Sequence, residues 1–208
     1  MKSLALPLVL SLLAVAAAPA QTYTKYQSQF GGSKVRIEGT STLHDWHAEG
    51  TLIGGALELD SAFPQDGSAK PGPVAAKAEI KIPVRSLKCS SGAAMDSVMQ
   101  QAMDEPKHPQ ILFTLTELKL KEAPKPGEAM KFEATGNLSV SGVRRTVAMD
   151  VGITVVEAGK KLKLNGAVPL KMSTFGIQPP APKAALGVIK TGDDVKIVFE
   201  WVCAVPAK

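Results

Sequence analysis

Lys161-Leu162-Lys163-Leu164-Asn165-Gly166-Ala167-Val168-Pro169-Leu170-Lys171-Met172 carries an apolar residue or a glycine at every even position. A period of two over this length is the signature of a β-strand with one buried face. The same alternation recurs on both sides of the quoted stretch. Val195, Ile197, Phe199, Trp201, Cys203 and Val205 form one such set, and Val147, Met149, Val151, Ile153 and Val155 another. Phe132, Ala134, Gly136, Leu138 and Val140 form a third. Working outward gives eight expected strands, at about 33–42, 46–60, 74–84, 110–121, 130–141, 143–156, 160–172 and 194–205. Ser141-Gly142, Ala158-Gly159 and Gly192-Asp193-Asp194 supply turn chemistry between them. Pro64–Pro73 and Ala123–Glu128 read as polar loops, and residues 21–30 as a short edge strand or a lead-in.

One segment departs from this period. Met95, Val98, Met99, Ala102 and Met103 fall at i, i+3, i+4, i+7 and i+8, which is helical spacing. Ser90 or Ser91 is placed to cap the helix and Pro106 to stop it. The expected fold is therefore all-β, an eight-stranded antiparallel up-and-down barrel with one short amphipathic helix between its third and fourth strands. Closure into a barrel removes both sheet edges. Gly39, Gly55, Ala134, Gly136 and Gly166 share the apolar parity. Small residues at inward positions favour an internal cavity; the alternative is that the glycines are bulges or bends that let the sheet coil.

The chain has 208 residues, 45% hydrophobic and 21% charged, with two cysteines and a formal net charge of +5. This composition excludes disordered, collagen-like and disulfide-scaffold classes. The basic excess is too small to indicate a nucleic-acid partner. Met1-Lys2-Ser3, the apolar run Leu4–Ala18 and Ala18-Pro19-Ala20 form a tripartite secretory pattern, so residues 1–20 read as a signal peptide. Cleavage is expected before Gln21, with Ala18 as the neighbouring alternative. Residues 21–32 then form an N-terminal lead-in and 33–205 the barrel domain. No later run is long and apolar enough for a transmembrane helix, and the expected location is periplasmic or secreted. In an oxidising compartment Cys89 and Cys203 are expected to form a disulfide.

His44-Asp45-Trp46-His47 is the densest group of reactive side chains, with His108 the third histidine. The spacing matches no metal signature, and no nucleophile elbow, phosphate loop or dinucleotide fingerprint occurs. The expectation is a protein without catalytic residues, metal or cofactor. Lys77, Lys81, Lys161, Lys163 and Lys171 lie on the polar parity and read as a solvated outer face. The doublet Arg144-Arg145 meets an anionic head group or simply solvates a hairpin.

Four stretches together resemble a known family. They are Gly39-Thr40-Ser41-Thr42-Leu43-His44-Asp45-Trp46, the helix from Met95 leading to His108-Pro109-Gln110-Ile111-Leu112-Phe113, Ala134 through Arg145, and Ser173-Thr174-Phe175-Gly176-Ile177. In order and spacing they are similar to the YceI-like, polyisoprenoid-binding family over residues 33–203. The third resembles that family's G-x-L-(T/S)-(I/V)-x-G-V-(T/R)-(R/K) hairpin. The resemblance implies a lipocalin-like barrel, periplasmic or extracellular, holding a polyprenyl or quinone-like chain. It also implies a carrier or sequestering role, with a stress-related one among the options. Pro179-Pro180-Ala181-Pro182 adds a rigid loop that gates the barrel mouth or only connects strands.

The inward residues expected to touch such a ligand are Val35, Ile37, Ile80, Ile82, Phe113, Gly136, Leu138, Val140, Met149, Leu164, Leu170, Phe199 and Trp201. Met99, Met103 and Phe175 are expected to close one end. The competing expectation is a filled barrel that acts through its outer surface.

Overall fold

The computed structural model describes residues 21–125, 127–181 and 190–207. The expected signal peptide lies outside the described residues, as do Pro126 of the 123–128 loop and Pro182 of the 179–182 loop. Among the described residues the chain forms strands β1 (Tyr23–Ser28), β2 (Lys34–Ser41), β3 (Trp46–Gly50), β4 (Gly54–Asp60), β5 (Gly72–Val74), β6 (Ala76–Pro83) and β7 (Lys88–Cys89). The helix α1 (Ala93–Ala102) follows, then β8 (Gln110–Leu120), β9 (Met130–Val140), β10 (Val143–Val156), β11 (Lys161–Lys171) and β12 (Thr191–Ala204).

These strands build eight staves. β8 to β12 are one stave each, a plain antiparallel meander. The other three staves are interrupted. β1 and β2 lie end to end along one edge of β12, with Gln27↔Ala204 and Ser28↔Cys203 followed by Lys34↔Glu200 through Gly39↔Val195. β3 pairs β2 while β4 pairs β1, so the single strand expected at 46–60 breaks at 51–53. β5 and β6 run in line against β8, and β7 continues that stave against β3. The ring closes where β1 and β2 meet β12. The result is the closed, eight-stranded antiparallel barrel that the alternation implies, with one short α-helix among the described residues.

Two local findings revise the sequence reading. Residues 23–28 are neither lead-in nor edge: β1 is bonded to β4 on one side and to β12 on the other, and Tyr26 is 1% exposed. The barrel therefore starts at Tyr23 rather than at residue 33. The helix is also capped differently from the expectation. Gly92, at φ 91°, is its N-cap, without a side-chain bond. Ser90 instead extends the β3–β7 pairing, its N–H donating to the His47 carbonyl at 2.9 Å.

The β9–β10 turn follows the sequence reading. Ser141 and Gly142 have φ of 50° and 77°, the two left-handed residues of a tight hairpin whose twist matches its strands. The register of β8 explains a pattern that the alternation leaves ambiguous. Ile111, Phe113 and Leu115 point inward, and a bulge between Leu115 and Glu117 then switches the parity, so Leu118 and Leu120 point inward next.

The core is a layer at one end of the barrel. Tyr26, Leu59, Leu120, Phe132, Leu162 and Cys203 are each 2% exposed or less. The Tyr26 hydroxyl donates to the Gly159 carbonyl at 2.9 Å and accepts from the Gln65 amide at 2.9 Å. Phe63 packs on Phe132 with ring centroids 6.0 Å apart. This end, where the β4–β5, β8–β9 and β10–β11 connections gather, is solid.

Candidate functional site: an apolar lumen

Above the solid layer the barrel is hollow. A cavity of about 250 Å³ extends from Ile53, Leu57, Leu118, Ile153, Leu164 and Trp201 to Lys171, Met172, Pro180 and Thr191 at the opposite end. Among the described residues its walls are aliphatic, aromatic or sulfur-bearing except for Lys171 and Thr191 at the rim. Ile37, Ile80, Leu115, Ile197 and Phe199 point inward yet are only half-buried, as expected of side chains that face open space rather than packed neighbours.

Fifteen of the sixteen expected lining residues do line this cavity: Val35, Ile37, Ile80, Ile82, Met99, Met103, Phe113, Leu138, Val140, Met149, Leu164, Leu170, Phe175, Phe199 and Trp201. The helix delivers its whole apolar stripe there, Met95, Val98, Met99, Ala102 and Met103. With Met149 and Met172 this brings five thioethers to the lumen, flexible side chains that adapt to irregular apolar shapes.

The sixteenth residue, Gly136, requires a correction. It does not open space directly, because a Cβ built there would collide with the Phe113 ring and come within 2.6 Å of the Thr114 carbonyl. Gly39 and Gly166 behave alike. The first underlies the Trp46 indole, and a Cβ on the second would lie 2.7 Å from the Phe199 ring. These glycines let an aromatic ring from the adjacent strand lie against the wall instead of standing into the lumen. Gly55 is different: at φ 134°, with the Glu79 carbonyl against its missing Cβ, it is the strained backbone approach of the bulge-or-bend reading.

Sequence reasoning missed several contributors. Val151, Ile153, Val168, Val195 and Ile197 carry the inward parity and were legible from it. Trp46 and Thr191 lie at strand ends and Pro180 in the connection before β12, where a period of two gives no direction.

The helix is fixed at both ends. Asp96, 8% exposed, accepts the Cys89 N–H at 2.6 Å and lies 3.2 Å from the Lys88 ammonium. The Cys89 N–H hydrogen bond, helped by Lys88, holds its carboxyl below the usual range. Beyond the C-terminus, buried Glu105 pairs with Arg85 at 2.7 Å, and the Ser141 hydroxyl donates to the Met103 carbonyl at 2.9 Å.

His44-Asp45-Trp46-His47 is turn architecture. The Ser41 hydroxyl accepts the Leu43 and His44 N–H groups and donates to the His44 carbonyl at 2.7 Å. The Trp46 indole N–H donates to the Thr40 carbonyl at 3.1 Å, which holds the ring over Gly39. His47 turns outward to Glu49 at 3.8 Å, and His108 sits beside Gly142 on another hairpin. Among the described residues no three His, Cys, Asp or Glu side chains converge on one centre.

The expected disulfide is overturned. Cys89 and Cys203 are both free. Cys89 shares a level with Ala48, Ile37 and Ile197, six residues along β12 from Cys203. At about 3.3 Å per residue that is roughly 20 Å, against the 7 Å limit for bridging. Burial, with the Asp96 carboxylate nearby, pushes the Cys89 thiol up to about 11. Burial alone pushes Cys203 to about 12. The Cys89 thiol lies 3.9 Å from the Met99 sulfur. Of the basic doublet, Arg145 donates to the Arg144 carbonyl at 3.0 Å and both side chains stay exposed.

A closed antiparallel barrel with a blind apolar lumen defines a lipocalin-like class of protein. Within that class, the YceI-like domain model matches residues 15–203, and the chain belongs to that family. No curated protein matches it. Among solved structures it is similar to BcnA of Burkholderia cenocepacia, at 22% identity and a TM-score of 0.59, covering 84% of this chain and 98% of that one. A polyisoprenoid binding domain from Saccharophagus degradans, implicated in plant cell wall breakdown, aligns with a TM-score of 0.61 at 10% identity, over 89% and 100% of the two chains. The Campylobacter jejuni YCEI protein gives 0.53 at 18% identity, over the full length of both. At these identities the likeness is one of fold.

Proposed function

We propose that this chain is an exported, non-enzymatic protein that retains an apolar isoprenoid-type ligand, polyprenyl or quinone-tailed, in its barrel and serves as a carrier or a sequestering agent. The observation that carries this reading is the lumen: about 250 Å³ with, among the described residues, no charged side chain below its rim. Such a surface offers dispersion and burial, each methylene contributing about 0.8 kcal/mol, and nothing with which to activate a bond. The likeness in fold to the polyisoprenoid binding domain of Saccharophagus degradans supports the ligand class. The tripartite N-terminal sequence supports export to the periplasm or beyond.

The test is mass spectrometry of the organic extract from protein exported by its native host. One prenyl or quinone species near one per chain is the expected result. An empty extract, together with failure of the stripped protein to take up a polyprenol, would refute the reading and favour action through the outer surface.

A further inference from the structure

We infer that the lumen is also a modification site: oxygen transfer to its methionine thioethers, from a peroxide or a hypohalous acid, converts a lumen that retains an apolar ligand into one that does not. This rests on the lipid-binding reading above and adds to it a chemical control.

The methionines are concentrated on one surface. The chain has seven; Met1 belongs to the expected signal peptide, and Met130 is packed in the core and does not line the cavity. The other five, Met95, Met99, Met103, Met149 and Met172, all face the lumen. Met95, Met99 and Met103 follow one another at intervals of four along α1 and its C-cap, so their side chains stack on one face a turn apart. Met95, Met99, Met149 and Met172 are only half-buried, and the cavity leaves room for a peroxide beside them. Leucine would line the same wall at nearly the same volume with no reactive atom. Methionine adds a sulfur whose lone pair takes up oxygen.

The step is a two-electron oxidation of sulfur. An S–O bond forms as the peroxide O–O bond breaks, and the second peroxide oxygen leaves as water with both protons; with hypochlorous acid, chloride and a proton leave instead. The product does not suit its surroundings. A sulfoxide oxygen is a strong acceptor, and the lumen has few donors to give it. The Trp46 and Trp201 indole N–H groups are committed to the Thr40 carbonyl at 3.1 Å and the Ser28 hydroxyl at 2.8 Å. The Thr191 hydroxyl is committed to the Pro180 carbonyl at 2.6 Å. Among the described lining residues this leaves the Lys171 ammonium at the rim, paired with Asp194, and the weakly donating Cys89 thiol, 3.9 Å from the Met99 sulfur. Sulfoxide oxygens on the α1 stripe and Met149 therefore outnumber the donors left for them. Under a bound apolar ligand they face hydrocarbon, whereas in an empty lumen water satisfies them, so oxidation favours the empty state. Met172 adjoins Lys171, and its sulfoxide should weigh least.

In the experiment, stripped, full-length mature protein is treated with hydrogen peroxide, freed of it and offered a four-unit linear prenyl alcohol. Native mass spectrometry then reads added oxygens and bound ligand on the same molecule, and peptide mapping locates the oxygens. Molecules with two or more oxygenated lumen methionines are expected to bind at least about fivefold more weakly than unmodified molecules in the same sample. Strand circular dichroism should persist and Met130 should stay unmodified. Replacing all five lumen methionines by leucine should keep binding within about threefold and abolish the peroxide response, while Met130→Leu and Cys89→Ser should each retain it. The comparison within the untreated sequence needs no variant, so it stands if the fivefold substitution does not fold. Equal binding by oxygenated and unmodified molecules would overturn the switch and leave lipid binding intact. So would lumen methionines that stay unmodified while free methionine is consumed, or weaker binding that comes only with loss of strand signal. No binding by unmodified protein would overturn the lipid reading and the switch together.

Discussion

The division of the barrel into a solid end and a hollow one can be tested by making one chemical change at each. Leu162 is 0% exposed within the packed layer, whereas Leu115 lines the lumen and is only half-buried. Leu→Ala removes three carbons in either case. At Leu162 the loss combines about 2.4 kcal/mol of transfer energy with a term for the void left in rigid surroundings, for a total of about 3–5 kcal/mol. At Leu115 no new void is created, because the vacated volume joins one that already exists. Part of the side chain also never left an open environment, so the expected loss is about 1 kcal/mol. Urea unfolding of ligand-free protein measures both, with the loss read from the midpoint at constant slope. Equal losses would refute the division: two large ones would mean a filled lumen, and two small ones a loose floor.

Three further outcomes are expected. Gly39→Ala should drive the Trp46 indole off the wall without backbone strain, shifting tryptophan emission and lowering ligand retention several-fold; unchanged emission would mean that the ring tolerates the methyl group. Thiol titration of unreduced, unfolded protein should find two thiols, and in the folded state Cys89 should label slowly at pH 8 and about tenfold faster per pH unit above it, since the thiolate is the reactive form; no thiols on unfolding would restore the disulfide. Asp96, with its carboxyl held low by the Cys89 N–H and Lys88, stabilises the fold above the ordinary carboxylate range, and this contribution is lost as pH falls through its depressed value. Asp96→Asn should therefore lower stability at neutral pH and flatten the acid limb in thermal melts, and an unchanged limb would remove this residue from the acid response.

The meander β8–β12 and the lumen wall were legible in the sequence because each inward side chain recurs at a fixed interval. That interval identifies Leu164 or Phe199 without knowledge of their neighbours. The methionine stripe of α1 was legible for the same reason at a different period. What the pattern did not carry is contact between strands. It placed Gly136 on the correct face but could not show that Phe113 occupies the space above it. Nor could it show that Cys89 and Cys203 lie at different levels of the barrel, because level along the axis depends on register, which parity leaves undefined. Tyr23–Ser28 escaped because Thr24, Lys25, Gln27 and Ser28 fall on both faces and give a weak signal, and its place in the wall depends on partners about 30 and 175 residues away.

The three interrupted staves have a consequence for how the chain folds. β8–β12 pair in sequence order, so their pairings span far fewer residues and cost less loop entropy. The seam between β1–β2 and β12 joins residues more than 150 positions apart, as Gln27 with Ala204 and Gly39 with Val195 do. Meander first and seam last is the order that loop entropy favours, and until the seam closes no enclosed lumen exists. Cargo arriving before closure would meet an open sheet with its apolar face uncovered. In this protein the capacity to hold a ligand and the completion of folding are therefore one event.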